Sequence, residues 1–397
     1  MDKITMLDLN VEVPHFIKYM GSKKKIINFV IEALNEVNTG GPVCDLFAGS
    51  SVLSGILRNQ ANIISNDIQS YSAVLAKAYL TNYDWNSHPF LIQEVVESAS
   101  KRANKFLEAF SMLKFDYERD FTVKEFVDLE DKQRQLIHKD FGSFDYHLFT
   151  KNYSGTYWSF NQCVWIDAYR ATAEEFRETP FYSSILASLM FAMSYNSQST
   201  GHYAQFRDAT SQSSMEDILT YRRKEITPYF IRKMEELQHT LGKNCYSFDV
   251  FSLDYRNCLD QIPENTVVYA DPPYAFVHYS RFYHAIETLV RYDYPKVRYK
   301  GRYREDRHQS PFCIKTQVEE AFYEMFLKIR IKQANLVLSY SNTGMIDLDD
   351  LIRLAKTVLG KQYTLEVRTI DYLHSTMGRR EDKSRNVQEA LIIAKRI

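Results

Sequence analysis

The chain has 397 residues, enough for a large hydrophobic core and, we expect, two domains. Its net charge of −1 excludes a global positive field, so any binding of nucleic acid has to use local basic patches. Five scattered cysteines with no C-x-x-C pair argue against a disulfide framework and a zinc site, so we predict no metal and a reducing compartment. The amino terminus has no apolar signal core and no stretch has the length of a membrane span, which predicts a soluble, intracellular protein without membrane contact.

The first predicted element is a helix that begins in a lysine-rich segment. Ser22 fits an N-cap, the apolar positions up to Val37 share one face, and two glycines follow at 40–41. Lysines at 23–25 place three cations at the helix amino terminus, which is unfavourable unless an anion lies nearby. We therefore predict an anion-binding role for this helix start, with a solvated first turn as the alternative.

Two short strands with polar ends come next. Residues 43–47 predict a buried strand that runs into the small-residue loop 48–51 and then a helix, the opening βα unit of a nucleotide-binding type of fold. The loop lacks the G-x-G-x-x-G pattern, so a dinucleotide is not indicated. Residues 63–67 predict the second strand, which ends in Asp67, 22 residues after Asp45. An acid at that spacing commonly holds ribose hydroxyls, although a loop carboxylate without a role is the alternative.

Between residues 83 and 244 the sequence changes character. Mixed-charge helical stretches give way to polar aromatic segments at 151–162 and 194–214. The second segment is too polar for a core and too aromatic for a linker, and loops of this kind on a rigid scaffold often form recognition surfaces. We therefore predict recognition loops here, with ordinary solvated loops as the alternative.

Residues 246–251 and 266–270 predict a third and a fourth strand, and the fourth ends in Asp271-Pro272-Pro273-Tyr274. Each proline removes a backbone N–H, so the turn presents carbonyl acceptors without competing donors. A carboxylate, a carbonyl and a flat ring at the carboxyl end of a strand suit an aromatic amine, since open α/β sheets bind ligands at that edge. A proline-rich turn without function is the alternative.

A basic segment at 291–308 carries seven Lys or Arg against three Asp or Glu, with four tyrosines between them. Such a local positive excess with stacking groups is typical of a nucleic-acid contact, and a solvated charge run is the alternative. Beyond it we predict a helix at 316–330 and a strand at 335–340. Two further strands, 363–374 and 387–394, flank a basic tip and predict an antiparallel hairpin at the edge of an otherwise parallel sheet.

The order of these motifs resembles the Dam-like, alpha-group adenine N-6 specific DNA methyltransferases. The matching stretches are Tyr-Met-Gly-Ser-Lys at 19–23, Asp-Leu-Phe-Ala-Gly-Ser at 45–50, Asn-Asp at 66–67 and Asp-Pro-Pro-Tyr at 271–274. The resemblance implies an α/β fold, a Rossmann-like methyltransferase sheet with a C-terminal antiparallel hairpin. It also implies catalytic halves at 1–82 and 244–397 and an inserted, mostly helical target-recognition domain at 83–243, which matches the family mainly in position.

The resemblance further implies S-adenosylmethionine as the cofactor and assigns residues to it. Asp67 matches the acid that binds the ribose, Asp249 lies where the family contacts the cofactor's adenine, and Asp271 belongs to the cofactor site as well as to the catalytic motif. One departure is visible, because Gly49-Ser50-Ser51 stands where the family often has Gly-Ser-Gly, which leaves the geometry of this loop open. The other cofactor residues implied in this way are Tyr19, Lys23, Asp45, Phe47, Ala48 and Gly49.

The catalytic motif implies a mechanism for methyl transfer to adenine. Asp271 and the carbonyl of Pro272 accept hydrogen bonds from the exocyclic amine, direct its lone pair toward the sulfonium methyl and stabilise the developing charge. Because that amine lies inside duplex DNA, the base has to be flipped out, with Tyr274 after Pro273 as its stacking face. The acceptor of the displaced proton stays open, with Asp271 as one candidate.

Double-stranded DNA is the implied partner, and its contacts divide into phosphate and base contacts. We predict that the basic segment 291–308 and the tip 378–385 hold phosphates, and that parts of 150–215 read bases. A restriction endonuclease partner and a bacterial or phage-encoded, cytoplasmic, DNA-associated protein fit the same resemblance. The predicted DNA-contacting residues are Arg298, Lys300, Arg302, Arg304, Arg379, Arg380, Tyr203 and Arg207.

Three other substrates suit the same fold, namely cytosine N-4, RNA and a protein glutamine. Enzymes of the cytosine type more often carry Ser at the position of Asp271, and the glutamine enzymes carry Asn, so the aspartate favours adenine. A regulator that binds DNA or the cofactor without activity is a further alternative, and the presence of every residue that the chemistry needs weighs against it.

Overall fold

In the described part of the chain, a seven-stranded sheet carries helices on both faces. The computed structural model describes residues 6–8, 11–19, 26–142, 144–198, 202–273, 279–342, 344–373 and 386–397. Lys23, Tyr274, Arg379 and Arg380, with the predicted N-cap Ser22, lie outside these residues. The strands are β1 Val43–Asp45, β2 Ile63–Asn66, β3 Phe248–Phe251, β4 Val267–Ala270, β5 Val297–Arg298, β6 Tyr303–Arg304, β7 Asn335–Ser341, β8 Tyr363–Leu373 and β9 Asn386–Arg396.

Helices make up much of the remaining described chain, and none of those described is long and apolar enough to cross a membrane. Short 3-10 helices lie at Trp85–Ser87, Gln135–His138, Pro311–Cys313 and Gly360–Gln362. The α-helices are α1 Ile27–Val37, α2 Val52–Leu57, α3 Ser70–Leu80, α4 Leu91–Ala109, α5 Val123–Arg134, α6 Leu148–Tyr153, α7 Phe160–Glu175, α8 Tyr182–Asn196, α9 Gln212–Arg222, α10 Ile226–Thr240, α11 Tyr255–Gln261, α12 Tyr279–Phe282, α13 His284–Arg291, α14 Val318–Ile331 and α15 Leu348–Leu359.

The sheet has the strand order β3-β2-β1-β4-β7-β9-β8. The first five strands are parallel, with Val43 paired to both Ile63 and Val267, and β9 is antiparallel to β7 and β8. This arrangement confirms the predicted, mostly parallel sheet with its antiparallel C-terminal hairpin. The strand order reverses between β1 and β4, so the connections from these two strands diverge and leave a crevice at their carboxyl ends.

The strands β1, β2, β4 and β7 are buried along their whole length, as continuous apolar runs predict for parallel strands covered on both faces. Alternate residues of each strand point to opposite faces and serve two separate cores. Val43 and Val267 pack in one core with α1 and α3, whereas Cys44 and Val268 pack in the other with α11, α14 and α15. Helices on both faces thus position the loops that follow β1, β2 and β4.

The regular structure described between α3 and β3 is helical, from α4 to α10, apart from the 3-10 turns. These helices are not set apart from the sheet, because α8 packs on both α3 and α10. Ile185 and Met190 of α8 are fully buried in the same core as Leu75 of α3. A smaller core around Phe126 and Ile218 joins α5 to α9. Helices between α3 and β3 therefore continue the helical layer on one face of the sheet.

The polar aromatic segments predicted as recognition loops are largely buried. Tyr157 and Trp158 have no exposed surface, and Tyr203 is 3% exposed. Their polar atoms reach backbone acceptors: the Tyr157 hydroxyl donates to the carbonyl of Gly301, and the Trp158 indole N–H to that of Met193, both at 3.1 Å. A hydroxyl or N–H group that has a hydrogen-bond partner can be buried at little cost. These segments are therefore part of the core although their composition is polar. The prediction of solvent-facing loops is wrong for these residues.

Candidate active site

A cleft opens at the carboxyl ends of β1, β2 and β4, the edge at which the strand order reverses. The loops after these strands line it, together with Tyr19 from the amino-terminal segment and part of the stretch 308–313. Its empty space is about 1300 Å³, counted out to solvent. The cleft is thus open to solvent, and loops from three adjacent strands line it together, as is usual for ligand sites at this edge of a parallel sheet.

Gly49 shapes the loop after β1. Its φ of +53° lies in the left-handed region, and a Cβ at this residue would lie 2.6 Å from the hydroxyl oxygen of Tyr19. Its backbone N–H donates to Oδ2 of Asp67 at 2.9 Å, which joins this loop to the end of β2. Any larger residue would therefore strain the backbone and displace Tyr19.

Ser51 resolves the geometry left open by the Gly-Ser-Ser sequence. Its φ of 57° is also left-handed, a conformation that costs a residue other than glycine roughly 1–2 kcal/mol. The buried hydroxyl of Ser51 donates to the carbonyl of Ser72 at 3.1 Å, and such a bond contributes about 0.5–1.5 kcal/mol. The serine therefore supports a left-handed turn that a glycine would also allow.

Asp67, which follows β2, is hydrogen-bonded to the loop after β1. Its two carboxylate oxygens accept the backbone N–H groups of Gly49 and Gln69, each at 2.9 Å. Burial raises the pKa of Asp67 to about 6, although these hydrogen bonds act in the opposite direction. Each oxygen keeps a further lone pair and the residue lines the cleft, so the carboxylate is positioned to accept hydroxyl donors.

Asn66 is a site residue to which the sequence alone assigned no role of its own. Its side-chain N–H groups donate to the carbonyls of Leu46 and Leu253, and its amide oxygen accepts the N–H of Leu253, all at 3.1 Å. This buried amide ties the loop after β1 to the loop after β3. The available signal is an asparagine at the end of a buried strand, because a buried amide needs several partners.

The structure does not bring Asp249 into the cleft. This residue lies inside β3, where its side chain is exposed, and the strand continues to Phe251. Asp254 lines the cleft instead, and as the N-cap of α11 it accepts the backbone N–H of Arg256 at 3.0 Å. An aspartate directly before a helical pattern is the sequence signal that points to Asp254.

Aromatic rings stand at two walls of the cleft. Phe47 lies 6.1 Å from Tyr255 and 5.4 Å from Phe312, measured between ring centres. Tyr19 stacks on Tyr283 at 4.7 Å with 17° between the ring planes. Such rings offer flat apolar faces to a purine or another planar group.

The turn after β4 brings residues 271–273, Asp-Pro-Pro, into the same cleft. The thiol of Cys313 donates to the carbonyl of Pro273 at 3.5 Å, and the hydroxyl of Ser280 donates to the carbonyl of His308 at 2.7 Å. The first bond holds Cys313, which follows the basic segment, against the turn, and the second ties the end of that segment to α12. The turn therefore shares one cleft with the loops after β1 and β2.

Four carboxylates line this cleft, those of Asp45, Asp67, Asp254 and Asp271. Asp45 is 3% exposed at the end of β1, and the hydroxyl of Ser54 donates to its Oδ2 at 3.2 Å. Burial, together with the carboxylates of Asp271 and Asp67, raises the pKa of Asp45 to about 7. A cleft that crowds anions in this way favours a cationic ligand, and a sulfonium is one.

We expect Asp45 to make the folded protein less stable as the pH rises. Folding raises its pKa from the ordinary 3.8 to about 7, so only the folded state holds this proton between the two values. The contribution of this proton to the free energy of unfolding is fully present below the lower pKa, and it is lost as the pH rises through the higher pKa. Asparagine at this position stays neutral. The free energy of unfolding of Asp45→Asn, relative to that of the wild type, should therefore rise by about 2–4 kcal/mol from about pH 4 to about pH 8. Urea unfolding across this range measures the difference, and a difference independent of pH would contradict the expectation.

Two arginines of the basic segment that were predicted to contact DNA are instead bound by other groups of the protein. Arg304 in β6 is 2% exposed, and the carboxylates of Asp293 and Asp306 hold its guanidinium at 2.6 to 3.0 Å. Arg302 donates to the backbone carbonyl of Arg134 at 2.9 Å, and burial lowers its pKa to about 10. We therefore do not assign phosphate contacts to Arg302 and Arg304. Both residues of β6 are buried, which charge composition could not show.

Tyr203 is likewise a core residue, with its hydroxyl 3.2 Å from that of Ser194, so we do not assign it to base reading. Arg298, Lys300 and Arg207 are exposed, and each makes an ion pair at the surface. Exposed pairs of this kind are weak, so these three cations remain available to a phosphate.

The sequence of this chain is similar to those of known proteins. The family model described as "D12 class N6 adenine-specific DNA methyltransferase" matches residues 19–350. The chain is 24% identical over 389 residues to Modification methylase LlaI of Lactococcus lactis subsp. lactis, covering 96% of this chain and 55% of that protein. It is 23% identical over 382 residues to Type II methyltransferase M.FokI of Planomicrobium okeanokoites, covering 94% of this chain and 50% of that protein. It is 21% identical over 340 residues to Type II methyltransferase M.NlaIII of Neisseria lactamica, covering 83% and 85%.

The chain thus spans about half the length of the first two of these relatives. The family match begins at the cleft residue Tyr19, includes the loop after β1 and the Asp-Pro-Pro turn, and ends within α15. It covers most of the chain and agrees with the resemblance found in the motifs. This chain belongs to the D12 class N6 adenine-specific DNA methyltransferase family.

Proposed function

We propose that this protein is a site-specific DNA methyltransferase that moves a methyl group from S-adenosylmethionine to the exocyclic amine of an adenine. The observation that carries the proposal is the single cleft shared by Gly49, Asp67 and the Asp-Pro-Pro turn at 271–273. Methyl transfer needs a cofactor and an amine held in contact, and this cleft places the loops after β1 and β2 next to the Asp-Pro-Pro turn. Membership of the family supports adenine as the acceptor.

The residues around the cleft suit S-adenosylmethionine. Asp67 is positioned for the ribose hydroxyls, and Phe47 offers a flat face beside Asp254 for the cofactor's adenine. The crowded carboxylates favour the sulfonium, which supplies an electrophilic methyl group when the cofactor is bound. Lys23 stays a prediction, since it lies outside the described residues. We assign the cofactor contacts to Tyr19, Asp45, Phe47, Ala48, Gly49, Asp67, Asp254 and Asp271.

On the acceptor side, the work of the protein is to orient a weak nucleophile. The lone pair of the adenine amine is delocalised into the ring, and hydrogen bonds to Asp271 and to the carbonyl of Pro272 turn it toward the methyl group. The same two acceptors stabilise the positive charge that develops on the nitrogen. The methylated amine then loses a proton, and Asp271 is the carboxylate proposed to stand next to it.

The acceptor amine is reached only by a base that has left the DNA stack. Flipping the nucleotide exposes the amine, at a cost of a few kcal/mol in lost stacking and pairing. Tyr274, at the end of the catalytic motif but outside the described residues, is proposed to stack on the flipped base. The rigid prolines before it are suited to keeping a stacking ring and the acceptors in register.

We also propose that residues 83–243 form the target-recognition part, between catalytic halves at 1–82 and 244–397. Support comes from its position between α3 and β3 and from the exposed Arg207. The relatives are named modification methylases and Type II methyltransferases, so we propose a restriction-modification role with a partner endonuclease. That role would place the protein with the DNA in the cytoplasm of a bacterium.

A transfer assay with methyl-labelled S-adenosylmethionine tests the proposed function. We expect label in duplex DNA, recovered as N6-methyladenine after digestion to nucleosides. Label in cytosine, in RNA or in a protein glutamine would replace the substrate, and no transfer to any of them would overturn the enzyme assignment. Sequencing the methylated adenines in DNA from expressing cells would then identify the recognition site.

Replacing Arg298 and Lys300 with glutamine is expected to make DNA binding less dependent on salt. Their side chains are 66% and 47% exposed at the tip of the β5–β6 hairpin. Each phosphate contact contributes about 0.9 to the slope of log affinity against log salt concentration, so the slope should fall by about 2. Fluorescence anisotropy with a labelled duplex measures this slope. The control is Arg353→Gln with Lys356→Gln on α15, which removes the same charge away from the cleft. An unchanged slope in the hairpin variant would refute the assignment.

A further inference from the structure

Three cations meet on two tyrosine rings outside the basic segment. Nζ of Lys18 lies 4.8 Å from the centre of the Tyr195 ring, and the guanidinium carbon of Arg232 lies 5.5 Å from the same centre. The Tyr229 ring is 6.1 Å from that of Tyr195 and has Arg232 at 5.1 Å and Nζ of Lys224 at 5.8 Å. Lys18, Lys224 and Arg232 with Tyr195 and Tyr229 are referred to below as the basic cluster.

Buried structure holds the basic cluster in place. Nζ of Lys224 donates to the backbone carbonyl of Tyr195 at 3.2 Å, and Nε2 of the buried Gln162 donates to the backbone carbonyl of Lys224 at 2.7 Å. Tyr195 lies in the last turn of α8, and Arg232 lies in α10, which packs on α8. The cations are therefore arranged before any ligand arrives, and a ligand need not order flexible side chains to the same extent.

The basic cluster carries positive charge without a nearby carboxylate in the part of the chain that the structure describes. Among the residues that the structure describes, no carboxylate oxygen lies within 4.0 Å of the charged group of Lys18, Lys224 or Arg232. Burial and the positive charge of Lys224 lower the pKa of Lys18. Cation–π contacts are worth about 0.5–1 kcal/mol each at exposed sites and leave the charge in place. An anion placed among the three cations would offset their mutual repulsion.

The basic cluster also lies beside the cleft. Lys18 directly precedes Tyr19, whose ring lines the cleft, and the backbone carbonyl of Lys18 accepts the hydroxyl of Tyr283 at 3.5 Å. The N–H of Tyr203 donates to the carbonyl of Phe282 at 2.7 Å, and Phe282 belongs to α12, of which Tyr279 and Ser280 line the cleft. Arg232 is exposed, and Lys18, Lys224 and both tyrosines are half-buried, so an anion has access from solvent.

We propose that the basic cluster is a phosphate-binding surface for the DNA backbone, separate from the residues of the β5–β6 hairpin. The proposal rests on the proposed function, since the DNA strand that delivers a flipped base has to pass the mouth of the cleft. Phosphates fix the position of a protein on DNA without reading sequence, and a rigid set of three cations suits that task. The rings of Tyr195 and Tyr229 keep the cations in place.

Lys224→Gln combined with Arg232→Gln tests this surface. Binding of a fluorescein-labelled, mixed-sequence DNA duplex is measured by anisotropy over a series of KCl concentrations. The slope of log affinity against log salt should fall by about 2, because each lost phosphate contact removes about 0.9. Arg232→Gln alone, a change at an exposed position of α10, should remove about half of that. The control variant on α15, Arg353→Gln with Lys356→Gln, should keep the wild-type slope.

Two control measurements show whether a change in the salt slope comes from lost phosphate contacts or from a damaged fold. Thermal unfolding midpoints and affinities for S-adenosylmethionine equal to those of the wild type show that the variants keep their fold and cleft. A wild-type slope in variants that pass these tests would overturn the phosphate surface while leaving the proposed function intact. Duplex binding by the wild type without methyl transfer would overturn the proposed function, and the slope of the variants would still decide whether the surface binds phosphate.

Discussion

Asparagine in place of Asp271 is expected to lower the rate constant of methyl transfer by about 10²–10³-fold. Asp271 lies in the cleft beside Pro272, where its carboxylate is proposed to accept the adenine amine and to stabilise positive charge. Asparagine keeps the shape of the side chain but loses the charge, and its NH₂ group can face the amine as a second donor. Single-turnover transfer from saturating labelled S-adenosylmethionine to duplex DNA measures the change.

The matched control is Asp260→Asn, the same chemical change on α11. The Asp260 side chain is 57% exposed and pairs with Lys328, and it does not line the cleft. We expect the control to transfer methyl groups at the wild-type rate. Full activity of Asp271→Asn at both low and saturating cofactor would refute the role of the carboxylate. A loss that disappears at saturating cofactor would assign Asp271 to cofactor binding and not to the transfer step.

Alanine in place of Gly49 is expected to weaken binding of S-adenosylmethionine by about 10- to 100-fold, equivalent to about 1.4–2.7 kcal/mol. The new Cβ would lie 2.6 Å from the hydroxyl oxygen of Tyr19 and 2.8 Å from its Cζ, so the ring has to leave its place at the wall of the cleft. Alanine at a φ of +53° also strains the loop at the residue whose own N–H donates to Asp67. Isothermal titration with the cofactor measures the loss.

Gly142→Ala separates backbone strain from the steric clash. Gly142 has a φ of +51°, close to that of Gly49, but a Cβ there would meet no atom within 4 Å. This control should lose about 1 kcal/mol of folding stability and keep the wild-type affinity for the cofactor. If Gly49→Ala also keeps that affinity, the cleft beside Tyr19 is not the cofactor site.

Most strands of the sheet could be predicted from local sequence. The runs predicted at 43–47, 63–67 and 266–270 correspond to β1, β2 and β4, each within two residues at either end. The predicted C-terminal hairpin appears as β8 and β9. Continuous β-branched runs that end in polar or proline-rich turns carry this information, because their preferences act over a few neighbouring residues.

The candidate site was predictable only in part. Gly49, Asp67 and the Asp-Pro-Pro turn each stood out in the sequence, and the parallel register of β1, β2 and β4 explains why they share one cleft. Asn66 and Asp254 were missed or misassigned, because the role of Asn66 depends on hydrogen bonds between loops almost 190 residues apart, as the contact with Leu253 shows. Such partners have no signature in a single stretch of sequence.

Sequence by itself determined the order of the motifs along the chain and the types of side chain at the carboxyl ends of β1, β2 and β4. It also determined the resemblance to an adenine methyltransferase. Only the tertiary structure decided which charged groups face solvent. Arg304 looks like any cation of a basic run, yet Asp293 and Asp306 enclose it, whereas Arg232 shows no such carboxylate among the described residues. The physical reason is range: backbone preference and side-chain periodicity act along a few residues, while burial and ion pairing depend on groups that folding brings together from distant parts of the chain.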